Sequence, residues 1–592
     1  MRAHVIRFLT VFDLVVLFYF LAINTIYLVF SIVAYFQLRA HRRRWTPRAL
    51  GAVMRSPATP GISIVAPAYN EEATVAESVK SLLMINYPQF EVVLVNDGSK
   101  DGTRDAAVAA FELVRAPASY EQPLPSKPVN GVYRSLGGRE LVLIDKENGG
   151  KADAINAGIN AARYPLVCVI DADSILEEHA LSRAVLPFIE DPTTIASGGI
   201  IRIINSCTVD QGRVTDVRLP KNRVAIFQVV EYLRAFLAGR VAQSAANALL
   251  IVSGAFGIFL RKAVVDAGGF RHDTIGEDME LIVRLHRIYR DRGEPYRITF
   301  QPDPVCWTEA PESLKVLERQ RNRWQRGTLQ VLTFHWRMLF NPKYGTVGML
   351  AMPYYLIFEA LGPIVELTGY VVTILAVSFG LLDVVFAQLL FLAAVVYGTL
   401  ISLSAVLLEE LSYRRYPRVR DLLKLVAYGV LENFGYRQLT TWWRFMGIID
   451  FLRGRQSWGT MTRKGFAKSL SLHVLLAEDD PDIRLVARLA LKKAGYRVTV
   501  ASNGREAIEK VAEDRPDVIL LDWMMPDVDG PETCARLKAD PATADIPVVF
   551  MTAKSQGFEV ERGLSLGAKA YIVKPFDALT LGEQLKQILD RK

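Results

Sequence analysis

Three runs of apolar positions are too long for a globular core. Residues 8–36 contain one charged residue, Asp13, and residues 345–408 form a second apolar block, interrupted near Asp383 so that it reads as two runs. A helix crosses a bilayer with about 20 apolar residues, so the pattern predicts three spans. The first run exceeds the apolar core of a signal peptide, and no small-residue cleavage site follows it. Arg39, His41, Arg42, Arg43 and Arg44 follow instead, and Arg414, Arg415, Arg418 and Arg420 follow the last run. Basic flanks face the cytoplasm, which sets the amino terminus outside and the polar segments inside. Residues 422–452 mix Glu432, Arg437 and Arg444 with Tyr428, Trp442 and Trp443. That mixture suits an interfacial or re-entrant helix as well as a hairpin of short spans, giving three or five crossings.

Between these blocks, apolar runs at 62–66, 92–95, 141–144 and 166–170 alternate with helical periodicity. The alternation predicts an α/β domain with a largely parallel sheet. Residues 116–138 hold Pro117, Pro123, Pro125, Pro128 and paired glycines, the composition of a surface loop. After Trp458 a basic linker, 463–468, leads to five further apolar runs alternating with helices. The expected division is therefore 1–45, a transmembrane helix with a basic flank; 46–340, an α/β domain; 341–471, a membrane domain with interfacial helices and linker; and 472–592, a second α/β domain.

Composition agrees with this mixture. Hydrophobic residues are 51% and charged residues 22% of 592, too apolar for a wholly soluble chain and too charged for a bare membrane bundle, and incompatible with disorder. Cys168, Cys207, Cys306 and Cys534 show no metal-ligand spacing and read as reduced thiols. The net charge is +8; from Leu472 onward 17 basic residues face 20 acidic ones, so the first 471 residues carry +11. Beside apolar spans, such a surplus indicates cytoplasmic loops near anionic lipid rather than nucleic acid.

Candidate chemistry sits at strand ends. Asp97 closes the run 92–95 and opens Asp97-Gly98-Ser99-Lys100-Asp101-Gly102-Thr103, and Asp171-Ala172-Asp173-Ser174 follows 166–170 in the same way. Ligands of open α/β sheets lie at these carboxyl ends, and alternate carboxylates can share one hard cation, Mg²⁺ or Mn²⁺. Further motifs are Ala68-Tyr69-Asn70-Glu71-Glu72, Asn148-Gly149-Gly150-Lys151-Ala152-Asp153-Ala154, Gly276-Glu277-Asp278 and Gln320-Arg321-Asn322-Arg323-Trp324.

In this order the motifs resemble a family 2 glycosyltransferase of the processive, membrane-embedded kind, over roughly residues 10–465; look-alikes are poly-N-acetylglucosamine, cellulose and hyaluronan synthases. The resemblance implies a GT-A fold binding a UDP-sugar. Tyr69, Glu71 and Asp97 would hold the uridine, Lys151 would lie near the diphosphate, and Asp171 and Asp173 would hold nucleotide and metal. Asp278, beside Glu277, would take the acceptor's proton. Arg323 would contact phosphate, Trp324 the acceptor sugar, and Gln320 belongs to the same donor-binding set. Gly276 stands where the family pattern often has Thr. Glu359 and Glu366, seven apart in an apolar run, share a helical face; they either line a glycan path, or sit near the membrane interface or cap a break at Pro363. Lone His272 and His286 are read as structural.

The tail begins with a strand at 474–477 followed by Glu478-Asp479-Asp480; its third strand, 518–521, ends in Asp522, the fourth in Thr552-Ala553 and the fifth in Lys574-Pro575. These features resemble the (βα)5, flavodoxin-like receiver domain of response regulators. The resemblance implies that Asp522 accepts phosphoryl from a sensor histidine kinase or phosphotransfer protein. Mg²⁺ would be held by Asp479, Asp522 and the Met524 carbonyl, with Glu478 helping through water. Thr552 and Lys574 would bind the phosphoryl oxygens, and Tyr571 would respond as a switch. No DNA-binding segment is expected after Lys592, which makes the transferase the output; a linker of 463–471 spans at most about 32 Å.

The expected whole is an inverting glycosyltransferase of the bacterial inner membrane, building and exporting a β-linked exopolysaccharide under control of aspartyl phosphorylation. Its partners would be a UDP-sugar, a glycan or lipid acceptor, the bilayer, a kinase, and a second copy of the chain. Two rivals stand beside it: transfer of one sugar to a lipid, and a non-catalytic signalling platform.

Overall fold

In a computed structural model the chain folds as two compact units, Met1–Phe466 and Ala467–Lys592. The structure describes residues 2–45, 47–117, 120–135, 140–171, 174–210, 213–413, 415–416, 418–455, 472–494, 496–552, 563, 565–577 and 580–590. Asp173, Arg414, Ala553 and the linker 463–471 lie outside them.

The first unit is built on a ten-stranded sheet of β1 (Ile62–Ala68), β2 (Phe90–Asp97), β3 (Leu113–Ala116), β4 (Val129–Ser135), β5 (Leu141–Lys146), β6 (Leu166–Ile170), β7 (Ile175–Leu176), β8 (Thr194–Ile203), β11 (Phe256–Leu260) and β12 (Arg297–Thr308), with β9 (Thr208–Asp210) and β10 (Arg213–Asp216) forming a separate hairpin. The order is β3-β4-β5-β2-β1-β6-β11-β8-β12-β7. β5, β2, β1 and β6 run parallel, with Ile64 opposite both Val92 and Cys168. Their residues are buried on both faces, which is why the sequence shows continuous apolar runs instead of alternation.

Two expectations need correction. The sheet is mixed, because β11 runs antiparallel between β6 and β8, β7 runs antiparallel to β12, and β3 and β4 form an antiparallel edge. The supposed loop 116–138 contains β4, where Val132 pairs with Ile144. The prolines end at Pro128, and the proline-free run that follows donates and accepts along the β5 edge.

The helix Lys151–Ala161 is buried along nearly its whole length and lies directly on β1 and β2. Gly158 permits this: a Cβ there would stand 2.4 Å from Val65 Cγ1. Asn156 bonds the Phe270 carbonyl and amide, and Asn160 bonds both backbone groups of Leu124, so buried amides anchor the helix at its middle and its carboxyl end.

Among the described residues, three helices are long and apolar enough to cross a membrane, at Leu9–Arg44, Val347–Ser378 and Val384–Ser412. The Asp383 break is an N-cap, its carboxylate accepting from Val385 and Phe386 amides. Arg202 of β8 donates from Nη2 to both carboxylate oxygens of Glu409 near the end of the third helix, at 2.8 and 2.9 Å and nearly inaccessible to solvent, tying sheet to membrane helix. Residues 422–452 form parts of two helices, Val419–Leu431 and Arg437–Leu452, separated at Phe434 and Gly435 (φ 96°). The second packs on Leu314–Phe334, with Arg444 bonded to Gln325 and Asn322 to Asp450, both at 2.9 Å.

The second unit is a five-stranded parallel sheet, order β14-β13-β15-β16-β17, from β13 (His473–Ala477), β14 (Arg497–Ala501), β15 (Val518–Asp522), β16 (Val548–Thr552) and β17 (Ala570–Val573). Its apolar residues divide into two clusters, the arrangement of a sheet covered by helices on both faces.

Candidate functional site

The carboxyl ends of β1, β2 and β6 open into a cavity of about 960 Å³. Its walls include Tyr69, Glu71, Asp97, Lys151, Asp171, Glu277, Asp278, Gln320, Arg323 and Trp324, so every described transferase residue expected from sequence reaches one space. Tyr27, Tyr354, Glu359 and Arg444 from the helical region line the same space.

Asp97 is almost fully enclosed. Its Oδ1 accepts from Lys146 Nζ at 2.6 Å and Gly149 N at 3.0 Å, and its Oδ2 from Gly150 N at 2.8 Å. Lys146, wholly buried, also contacts Asp153 Oδ1 at 2.6 Å and donates to the Glu147 carbonyl. One lysine between two carboxylates thus shapes the loop that delivers Lys151. Sequence reasoning missed Lys146; the signal was an Asp145-Lys146 pair continuing an apolar strand. The neighbouring loops are laced by Asn70 N to Ser99 Oγ, Lys100 N to Asn70 Oδ1, and Glu71 N to Thr103 Oγ1.

At the helix start Lys151 Nζ bonds Asp171 Oδ1 and lies 3.8 Å from Glu277 Oε1. Burial opposes the ammonium, but Asp171, Glu277 and Asp278 outweigh it and raise the Lys151 pKa. Glu277 is pushed up to about 7, chiefly by burial, with Lys151 pulling down and Asp278 pushing up. Glu277 is buried, so this acidic helix start is not a solvated surface. Asp278 is held by backbone donors, Gly254 N to Oδ2 at 3.1 Å and Met279 N to Oδ1 at 2.8 Å. Just before it, a Cβ at Gly276 would stand 3.3 Å from Gly327 Cα, so the helix Leu314–Phe334 crosses too closely for a larger residue to enter without movement.

On that crossing helix, Trp324 is substantially exposed into the cavity, with the Arg321 guanidinium 4.6 Å from its ring centroid. Glu359 pairs with Arg444 at 2.9 Å and Glu366 with Arg437 at 3.3 Å and with Thr441. Both glutamates line a smaller space of about 120 Å³ that shares Tyr27, Arg234 and Arg444 with the large cavity. His286 is buried between the Tyr296 hydroxyl and the Leu249 carbonyl, a structural placement; His272 lies on the cavity wall.

In the second unit, oxygens of Glu478, Asp479 and Asp522 lie within 4.8 Å of one another. Lys574 Nζ bridges Glu478 Oε2 at 2.6 Å and Asp522 Oδ1 at 2.8 Å. Burial raises the pKa of Glu478 to about 7 and raises that of Asp522, against the pull of Lys574. Thr552 is buried at the end of β16, while Met524 and Tyr571 are exposed. An all-oxygen cluster of this charge fits a hard divalent cation.

Residues 63–123 match the family model "Glycosyl transferase family 2", residues 128–327 "Glycosyltransferase like family 2", and residues 474–586 "Response regulator receiver domain". Poly-beta-1,6-N-acetyl-D-glucosamine synthase of Staphylococcus aureus (strain COL) is 30% identical over 273 residues, 46% of this chain and 55% of that protein; the Staphylococcus epidermidis protein of that name is 29% identical over the same shares. The match thus spans about half the length of these relatives. The mannosyltransferase PcManGT of Pyrobaculum calidifontis, solved with GDP-Man and Mn²⁺, is 19% identical, covering 70% of this chain and 99% of its own at a TM-score of 0.41. The chain joins family 2 glycosyltransferase domains to a response-regulator receiver domain.

Proposed function

We propose that the protein is a membrane-embedded inverting glycosyltransferase that extends a β-linked glycan from a UDP-sugar. The observation that carries this reading is a single cavity in which Lys151, Asp171, Glu277 and Asp278 meet residues of the apolar helices. Lys151 supplies positive charge for the diphosphate, and the Tyr69–Glu71 segment, Asp97, Gln320 and Arg323 complete the donor pocket. The acceptor hydroxyl attacks the anomeric carbon, the bond to UDP breaks, and the hydroxyl proton passes to Asp278, whose two oxygens are held toward the cavity by backbone amides. Trp324 gives the acceptor sugar an apolar face.

Asp171, with Asp173 beside it in sequence, offers oxygen ligands suited to Mg²⁺ or Mn²⁺. Such a cation, when bound, supplies charge stabilisation for the departing diphosphate. The polymer reading is preferred over single transfer to a lipid because a second, smaller space beside Glu366 shares Tyr27, Arg234, Glu359 and Arg444 with the wall of the cavity. The names of the curated relatives favour N-acetylglucosamine as the sugar. In the receiver, Asp522 would accept phosphoryl; Asp479, Asp522 and the Met524 carbonyl would hold Mg²⁺, with Glu478 helping through water, and the ion would offset the charge of the clustered carboxylates. Thr552 and Lys574 would bind the phosphoryl oxygens, and Tyr571 would respond as the switch. The amino terminus lies outside, and the transferase and receiver domains face the cytoplasm of an inner membrane.

The test is incubation of the purified chain with a panel of UDP-sugars and Mg²⁺ or Mn²⁺, followed by sizing of the product. A ladder of long glycan is expected; a single-sugar lipid product would replace the polymer reading, and absence of donor turnover with every sugar would end it.

A further inference from the structure

Trp324, the acceptor platform of the proposed reaction, is held by more than its own helix. The Arg321 guanidinium lies over its ring, 4.6 Å from the centroid, and covers one face of the indole. Arg321 Nη2 donates in turn to Glu231 Oε2, and both side chains are largely enclosed. Tyr436 Oη donates to the same oxygen at 2.9 Å. One carboxylate oxygen therefore joins two distant segments of the chain: the helix Leu314–Phe334, through Arg321, and the break between the helices Val419–Leu431 and Arg437–Leu452, through Tyr436.

The sequence spacing allows each contact. Arg321 and Trp324 are three apart on one helix, near enough for a guanidinium to reach a ring. Phe227 and Glu231 are four apart on the helix Arg223–Tyr232 and share a face. That face grips Tyr436 twice: Phe227 stacks on its ring, centroids 4.5 Å apart and planes 15° from parallel, while Glu231 takes its hydroxyl. Tyr436 directly follows the non-helical Phe434 and Gly435. Glu231 lines both the large cavity and the smaller space beside Glu366.

A guanidinium fixed by a carboxylate is a rigid backing for an aromatic face. Without the anion, the long side chain regains rotamer freedom and the ring loses that support. Trp324 remains exposed on the cavity wall, so the face opposite Arg321 is the one open to a sugar. The tilt of the ring then sets where a stacked acceptor presents its hydroxyl relative to Asp278. Misplacement by about 1 Å can cost about 100-fold in rate, so a group that never touches the sugar can still govern its transfer.

We propose that Glu231 is a positioning residue for the acceptor: through Arg321 it fixes the plane of Trp324, and Tyr436 holds the carboxylate in place. The proposal rests on the transferase reading above and adds to it two residues, Glu231 and Tyr436, that lie outside the sequence motifs.

The test uses the full-length, detergent-solubilised protein as wild type, Glu231→Gln and the milder Tyr436→Phe, with UDP-N-acetylglucosamine and UDP-glucose as donors and Mg²⁺ or Mn²⁺. Three quantities are measured: sugar incorporated into glycan, UDP affinity by calorimetry, and the fluorescence of Trp324, isolated as the difference between each protein and its Trp324→Phe counterpart. Glu231→Gln should lower kcat by about 10–100-fold and Tyr436→Phe by about 2–10-fold, with donor KM and UDP affinity as in wild type, which also reports an intact fold. The Trp324 emission and its quenching by acrylamide should shift in both variants. A fall in kcat with the Trp324 signal unchanged would make the contact merely structural and overturn the proposal, as would a matching loss of UDP affinity. Wild type that makes glycan while both variants keep its kcat retains the transferase reading and ends this one. Wild type that neither binds UDP nor transfers sugar would sink the transferase reading, and this inference with it.

Discussion

Lys146 offers the sharpest test of how the donor loop is held. In Lys146→Met the side chain keeps its approximate length and loses its charge, leaving Asp97 and Asp153 buried without their shared cation. Removing one partner of a buried ion pair typically costs about 3–5 kcal/mol. Here two carboxylates at 2.6 Å and the Glu147 carbonyl lose the same donor, which places the expectation at the upper end, about 4–5 kcal/mol. The damage is also local, because Asp97 receives Gly149 N and Gly150 N, immediately before Lys151. UDP affinity should therefore fall by at least about tenfold even where the variant stays folded, a loss of about 1.4 kcal/mol. The assay is thermal unfolding by tryptophan fluorescence together with calorimetric UDP binding. Adding Asp153→Asn removes one stranded carboxylate, so the double variant should be more stable than additivity predicts, by about 1–3 kcal/mol. A Lys146→Met protein that melts with wild type and binds UDP equally well would refute the argument.

Four further outcomes are expected. Asp278→Asn should retain donor binding and lose transfer by about 10²–10⁴-fold, read by product formation beside UDP calorimetry. Asp171→Ala should weaken UDP binding in the presence of Mg²⁺ or Mn²⁺ and make it insensitive to chelator; equal loss without cation would count against a metal role. Glu277 has a folded pKa of about 7, above the usual carboxylate value, so its contribution is present at low pH and lost as pH rises through about 7. Relative to wild type, Glu277→Gln should therefore gain about 1–3 kcal/mol of stability between pH 4.5 and pH 8, measured by denaturation across that range. Phosphoryl donor should change glycan synthesis by wild type and leave Asp522→Ala and a truncation near Lys468 unaffected; identical rates in all three would reduce the receiver to a docking module.

The sequence alone was sufficient for the two domain families, because their chemistry lies in short motifs at strand ends, where Asp97, Asp171 and Asp522 are carried out of apolar runs by the chain itself. The three long apolar helices were equally legible, since length and hydropathy are local properties. The edge strand β4 was hidden, because proline density in its approach masked seven residues whose partner, β5, is recognised only when the sheet forms. The antiparallel insertion of β11 was hidden for the same reason: strand direction is a property of pairing, not of the strand. Lys146 went unnoticed in the sequence, because its role comes from burial between Asp97 and Asp153. Residues 422–452 stayed ambiguous because their charges have meaning only against partners far along the chain, Arg444 with Gln325 and Glu359, and Arg437 with Glu366. Tertiary structure decided these points by supplying the partner that makes a buried polar group affordable, and no local pattern encodes that partner.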